Sequence, residues 1–109
     1  MAYDELFADR VREVLRNETN IQEKKMFGGL GFMLNGHLAV AVSKNGLIVR
    51  FDRSQQTAIM AHPDAQPFAP TGKIMQGWAL VDVFDRDVDV LADWVHRSCA
   101  YAASLPPKS

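Results

Sequence analysis

The residue types most suggestive of chemistry form a glycine-rich run, Gly28-Gly29-Leu30-Gly31, which the cations Lys24 and Lys25 precede. A dinucleotide-binding loop has the spacing G-x-G-x-x-G after a strand and opens a helix. Here the spacing differs and a strand-like sequence follows, so we expect a bulge or tight bend in which glycine supplies a positive φ. Thr71-Gly72-Lys73 resembles the end of a P-loop but lacks the earlier glycine and the final Ser or Thr, so we reject that motif.

The histidines and the single cysteine give no complete site. His96 and Cys99 are three positions apart on a predicted helix, close enough to touch. Two ligands are fewer than a zinc site requires, and a Cys–His nucleophile would need an oxyanion donor and a third group. We therefore expect Cys99 to be a small buried hydrophobic residue, with no metal, no cofactor and no enzymatic activity.

Cations and aromatic residues form the remaining candidate surface. Residues 44–73 carry four cations and two aspartates, a net +2, whereas residues 82–93 carry five aspartates and one arginine, a net −4. Arg50 falls mid-strand among apolar neighbours, where its guanidinium needs a polar partner. We expect Asp82 to be that partner, with a ligand anion or a partner chain as the alternative. The candidate interaction or nucleic-acid surface is Lys24, Lys25, Phe27, Gly28, Gly29, Arg50, Lys73 and Trp78.

Two helices are predicted from apolar residues at helical spacing. The first has Asp4 as its N-cap; its apolar face is Leu6, Phe7, Val11, Val14 and Leu15. The last begins among aspartates, which the helix dipole favours, and contains the i,i+4 pair Asp93–Arg97. Its apolar stripe is Val88, Leu91, Val95, Ala102 and Leu105, with Trp94 and Cys99 beside it.

Strands are predicted between the helices. Their ranges are 21–27, 30–34, 37–42, 47–51 and 77–83. Asn35-Gly36 is a strong hairpin signal, and it places Leu34 opposite His37, Met33 opposite Leu38 and Phe32 opposite Ala39. One face of the sheet then carries Met33, Leu38, Val40, Val42, Leu47, Val49 and Phe51. The other carries Leu30, Phe32, Leu34, Ala39, Ala41, Ile48 and Arg50. Because both faces are apolar, we expect the second to be covered by a helix or by another chain.

The segment between the fourth and last strands contains two further features. Asp52 and Gln55 resemble a capping box, which predicts a short helix over 54–61. Residues 63–73 form a long irregular segment that Pro67-Phe68 pins to the sheet. The predicted fold is therefore α+β: an antiparallel sheet of four to five strands, with N-terminal and C-terminal helices packed on it and a short inserted helix.

Composition limits the class of protein. The chain has 109 residues, 48% of them apolar, which fits one domain over 1–109 with a real core. The net charge of −1 argues against a general polyanion binder. One cysteine, an acidic N-terminus and the lack of a long apolar run favour a cytoplasmic protein with no membrane partner.

The order of motifs resembles the N-terminal domain of the TfoX/Sxy family of bacterial competence regulators. The matching pieces span nearly the whole chain and are 1–4, 24–33, 35–36, Arg50, 67–68, 71–73, 75–78, 94–95 and 104–108. The resemblance implies an α+β fold with an antiparallel sheet and flanking helices, and a role in transcription of DNA-uptake genes in concert with the cyclic-AMP receptor protein. Full-length regulators carry a second, helical domain, which would begin where this chain ends. The family offers no catalytic residues to carry over.

Three hypotheses of function follow. The first is a non-enzymatic regulatory or protein-interaction domain, including self-association, which uses the second face (Phe32, Ala39, Ala41, Ile48, Arg50) or the glycine run. The second is direct binding of DNA or RNA through Lys24, Lys25, Arg50 and Lys73. The third is an enzyme or small-ligand binder that uses the glycine run and Cys99.

Overall fold

The computed structural model describes residues 3–26 and 28–106 as one antiparallel sheet with helices packed against it. The strands are β1 (Ile21–Met26), β2 (Gly29–Leu34), β3 (His37–Ser43), β4 (Gly46–Arg50), β5 (Ala65–Pro67) and β6 (Trp78–Val81). The helices are α1 (Glu5–Leu15), α2 (Gln56–Met60) and α3 (Val88–Ser104). The sheet order is β1-β2-β3-β4-β6-β5. The predicted α+β fold is confirmed, with six strands where four to five were expected.

Helix α1 begins as its sequence predicts. The Asp4 carboxylate accepts hydrogen bonds from the backbone N–H groups of Leu6 (2.8 Å) and Phe7 (3.3 Å), which have no partner within the helix. Phe7, Val11 and Leu15 follow at i,i+4 and are buried. Leu6 is 76% exposed, so its place on the apolar face was wrong: the helical period turns it away from that stripe.

The β2–β3 hairpin turns at Asn35-Gly36, both with positive φ (54° and 85°), as expected for a two-residue turn. The pairs Leu34–His37 and Met33–Leu38 are confirmed. Phe32, however, pairs with Val40 and not with Ala39, because a β-bulge shifts the register there. The expected composition of the two faces was therefore wrong, since a one-residue shift exchanges the faces of the residues beyond it.

One face of the sheet, the helix-covered face, packs against α1 and α3. Phe32, Val40 and Val42 are no more than 1% exposed in this layer. The other strand residues in the same core are Leu30, Leu34, Ala39, Leu47, Val49, Ala79 and Val81. The burial of Phe32 and Ala39 here removes both from the surface that the first hypothesis assigned to a partner.

The opposite face, the loop-covered face, forms a second, smaller core. Leu38 (8% exposed), Ala41 (1%) and Ile48 (2%) lie under Phe68, which comes from the segment after β5. Half-buried residues complete this layer: Met26, Met33, Met75, Trp78 and Leu80. The expectation that this face is covered is thus confirmed, but the cover is the chain's own loop and not a helix, and Phe68 pins that loop as predicted.

The segment after β4 differs from its prediction. The Asp52 carboxylate caps the Ser54 N–H at 2.8 Å, but a 3-10 turn (Arg53–Gln55) precedes α2, so the helix is shorter than expected. Within the irregular segment, β5 pairs with β6. Its three residues include a proline, which suits only an edge strand.

Helix α3 covers the sheet with Leu91, Trp94, Val95, Cys99 and Ala102. The Asp93–Arg97 pair forms at 3.3 Å, as predicted. Val88 is 56% exposed, so its assignment to the buried stripe was wrong: it occupies the first turn, ahead of the part that packs. No helix among the described residues combines the length and apolarity needed to cross a membrane.

Candidate interaction surface

The glycine-rich run is a junction between strands. Gly28 has a φ of 69° in the turn that joins β1 to β2. A Cβ on Gly29 would collide with the carbonyl oxygen of Val42 on β3, so only glycine allows this approach. A Cβ on Gly31 would meet the Sδ of Met26 at 2.8 Å, because that side chain crosses over the glycine. The expected bend between strands is confirmed.

The two lysines before this run lie on the same edge strand but on opposite faces. Lys24 pairs with Gly31, on the loop-covered face, whereas Lys25 pairs with Leu30, on the helix-covered face. Both are exposed. They therefore do not form a single cationic site. Phe27, the aromatic residue of the candidate surface, lies outside the described residues.

At its strand positions and in the segment over it, the loop-covered face carries cations only. By strand register, its strand positions contain two charged residues, Lys24 and Arg50. The segment over it, residues 66–77, contains one, Lys73, which is exposed. None of the 13 carboxylate side chains of the protein occupies these positions. An anionic partner would meet no like charge at these positions, whereas Asp64 and Asp82 lie beyond them, just before β5 and just after β6.

Arg50 is held by aromatic rings and not by the expected Asp82. It pairs across the sheet with Trp78, and its guanidinium carbon lies 5.2 Å from the centre of the Trp78 ring. The same carbon lies 5.4 Å from the centre of the Tyr101 ring on α3. These distances are those of cation–π contacts. The sequence could not show this arrangement, since it depends on the β4–β6 register and on where α3 crosses the sheet.

We call the outer surface of this layer the cationic patch. Its members are Lys24, Met26, Met33, Arg50, Lys73, Met75, Trp78 and Leu80. Ile74, 53% exposed, adjoins it. The structure thus brings Arg50 and Trp78 together and places Lys24 and Lys73 on the same face. It adds three methionines that sequence reasoning missed: Met26 and Met33 share this face through the strand register, and Met75 packs on it from the segment before β6.

Cys99 has the surroundings of a core residue. It is 4% exposed, and burial raises the pKa of its thiol to about 12. Thiolate, the reactive form, is therefore scarce at neutral pH. His96 is exposed, and the described residues contain no group of three or more metal-ligating side chains.

A polar groove of about 560 Å³ lies beside β5, at the end of β4 and β6 that is opposite to Arg50. Its lining is Pro63, Asp64, Ala65, Gln66, Asp82, Asp85 and Arg86. The Asp64 carboxylate accepts a hydrogen bond from Arg86 at 2.5 Å. Arg10 of α1 donates to the carbonyl oxygens of Phe84 and Arg86, at 2.9 and 2.7 Å, which fixes the loop before α3. Asp64 and Arg86 of this groove are thus paired with each other.

Comparison with known proteins gives one match. The model of the family described as the TfoX N-terminal domain matches residues 13–102. This range includes all six strands, α2 and most of α3, but only the last three residues of α1. The resemblance noted in the sequence is thereby confirmed. No curated protein and no solved structure gives a significant match.

Proposed function

The chain belongs to the TfoX N-terminal domain family, and on that premise we propose that it is a non-enzymatic regulatory domain that binds a protein partner through the cationic patch. A role in the transcription of competence genes in the cytoplasm is part of the same proposal. That part rests on what the family resemblance implies and not on any feature of the patch.

The observation that carries the proposal is the one-sided charge of the loop-covered face. Lys24 and Arg50 share this face with half-buried apolar side chains, Lys73 belongs to the segment over it, and no carboxylate occupies its strand positions or residues 66–77. Such an arrangement favours a partner that is apolar where it contacts the methionines and acidic at its margin. It also makes the encounter sensitive to salt, because exposed charges are screened over about 10 Å at 0.1 M ionic strength.

Three methionines make the patch adaptable. Met26, Met33 and Met75 are half-buried and have flexible, polarisable side chains. Methionine-rich surfaces repack around different apolar ligands at small cost. The buried layer beneath, with Ile48 only 2% exposed, gives them a rigid base. We therefore place the contact on the exposed parts of these strand and loop residues and not on the buried layer beneath them.

Direct binding of nucleic acid through the same patch is the second candidate, and the ring of Trp78 beside Arg50 favours it, since bases stack on such groups. The patch offers only three cations, because Lys25 points to the other face. The salt dependence of log K would then have a slope of at most about −3. A protein partner uses the methionines as well, which a phosphate backbone does not.

Site-specific photo-crosslinking in the native host tests the proposal. A benzophenone amino acid replaces Gln22 or Lys73, which are exposed on the patch side, and replaces Glu13 on the outer surface of α1 as the control. We expect a discrete protein adduct from the two patch positions and none from the control. Adducts with nucleic acid alone, or the same adducts from all three positions, would refute the proposal.

A further inference from the structure

Within the cationic patch, Arg50 is held in place by two aromatic side chains. It ends β4, where the cross-strand neighbour Trp78 and the helical residue Tyr101 both place a ring by its guanidinium, at 5.2 and 5.4 Å. We propose that Arg50 is the anchor of the patch and binds a carboxylate side chain of the partner through its free N–H groups. This inference rests on the proposed function and names the chemistry that the partner must present.

The backbone N–H of Arg50 is held by helix α3 and not by the neighbouring strand β3. Pairing of β3 with β4 starts at Val40–Val49, so β3 offers no acceptor to the Arg50 N–H. The Ser98 hydroxyl of α3 accepts this hydrogen bond instead, at 3.1 Å. Ser98 and Tyr101 are one helical turn apart, so one face of α3 positions both the backbone and the side chain of Arg50.

The guanidinium keeps its hydrogen-bonding capacity. Among the described residues, no oxygen accepts a hydrogen bond from the Arg50 side chain. Five other arginines each have an oxygen partner: Arg10, Arg12, Arg16, Arg86 and Arg97. Arg97 is the informative contrast. It too lies over a ring, that of Trp94 at 5.1 Å, but its charge is paired with Asp93. Within the described part of the chain, Arg53 also lacks an oxygen partner, but no aromatic ring contacts its guanidinium.

This arrangement suits a carboxylate. A guanidinium presents its donors as a planar fork that matches the two oxygens of Asp or Glu. Rings that already hold the side chain reduce the conformational entropy lost on binding. The neighbour Trp78, part of the apolar layer of this face, lowers the local polarity, which strengthens a charge-assisted hydrogen bond. With only two further cations on the face, single carboxylates fit better than a continuous phosphate chain.

NMR titration of the full chain tests the anchor. The probes are a synthetic acidic amphipathic peptide of Leu, Ala and Glu, the same peptide with Gln for Glu, inorganic phosphate and oligo-dT. We expect the Arg50 Nε–H and Trp78 indole signals to shift with the Glu peptide and not with the Gln peptide. The indole of Trp94, 3% exposed, is the internal control and should not move.

Two substitutions sharpen the test. R50K keeps the charge but removes the fork, so we expect affinity for the Glu peptide to fall about tenfold or more. The control is R97K, because Arg97 also lies over an aromatic ring but is already paired with Asp93. This substitution should change the affinity for the Glu peptide by less than about twofold. The shift of the wild-type Arg50 signal needs no variant, so the test stands even if R50K folds poorly.

The outcomes separate this inference from the proposed function. Equal binding of the Glu and Gln peptides, or an unchanged affinity in R50K, overturns the anchor. A stronger Arg50 response to phosphate or oligo-dT than to the Glu peptide also overturns it, in favour of phosphate. Protein adducts at Gln22 and Lys73 would still support a protein partner at the cationic patch in either case. Their absence removes the proposed function whatever Arg50 binds.

Discussion

Replacing Ser98 with alanine tests how the fold positions Arg50. Ser98 is 1% exposed, and its hydroxyl accepts the Arg50 N–H at 3.1 Å. In S98A that N–H loses its acceptor, because no residue of β3 pairs with Arg50. A buried donor left unpaired costs about 1–3 kcal/mol. The higher helix propensity of alanine offsets roughly 0.5 kcal/mol of this loss in the free energy of unfolding. We expect a net loss of about 1–2 kcal/mol in the free energy of unfolding.

The assay is urea unfolding followed by circular dichroism, with thermal unfolding as a second measure. S104A is the matched control in the same helix: its hydroxyl is exposed and donates to the Tyr101 carbonyl at 2.6 Å, so water can replace it. We expect S104A to change the free energy of unfolding by less than about 0.5 kcal/mol. A loss of about 1 kcal/mol lowers Tm by roughly 4–8 °C.

The result that refutes this reasoning is a stability of S98A equal to that of S104A. The Arg50 N–H would then have found water or another acceptor, and α3 would not fix the end of β4. A loss of stability together with an unchanged Arg50 Nε–H signal would separate the two roles. In that case Ser98 supports the fold, and the rings alone hold the guanidinium.

Four further predictions concern the fold. D4A removes the cap of α1 and should lower the free energy of unfolding by about 1 kcal/mol in urea, whereas an effect below roughly 0.3 kcal/mol would contradict the capping geometry. G29A, whose Cβ meets the Val42 carbonyl, should cost about 2 kcal/mol or more, and G31A less, because the Met26 thioether can rotate away; the reverse order would contradict the junction. Because burial raises the pKa of the Cys99 thiol from 9.0 to about 12, its thiolate fraction at pH 8 falls about 1,000-fold, so the native protein should react with a thiol reagent about 1,000-fold slower than the urea-unfolded chain; equal rates would contradict its burial. The same pKa favours folding below the ordinary thiol pKa near 9, and this contribution is lost as pH rises from there toward 12, so wild type should lose more stability than C99A between pH 8 and pH 10.5.

Local features of the fold were predictable from sequence because they depend on nearby residues. Asp4 caps α1, Asn35-Gly36 forms the tight turn, and Asp93 pairs with Arg97, each within four positions along the chain. The glycine run was assigned to a junction between strands because a strand-like sequence follows it. These features rest on backbone conformation and helical spacing, which a single sequence displays directly.

The faces of the sheet were not predictable. Residues 38–42 read Leu-Ala-Val-Ala-Val, so every position suits a buried face and the alternation cannot locate the bulge. The short β5 carries no strand signal, since Ala-Gln-Pro reads as a loop. The contacts of Arg50 were not predictable either, because its neighbours Trp78 and Tyr101 are determined by the β4–β6 register and by the placement of α3.

The most direct test that a protein partner binds the cationic patch is the yield of the Gln22 photo-crosslink in two charge-reversal variants. K24E/K73E removes two cations from the patch, whereas K25E/K44E makes the same change in net charge at exposed lysines that are not part of it. We expect the protein adduct to be lost in K24E/K73E and retained in K25E/K44E. Equal yields from the two variants would contradict the assignment of this face to a protein partner.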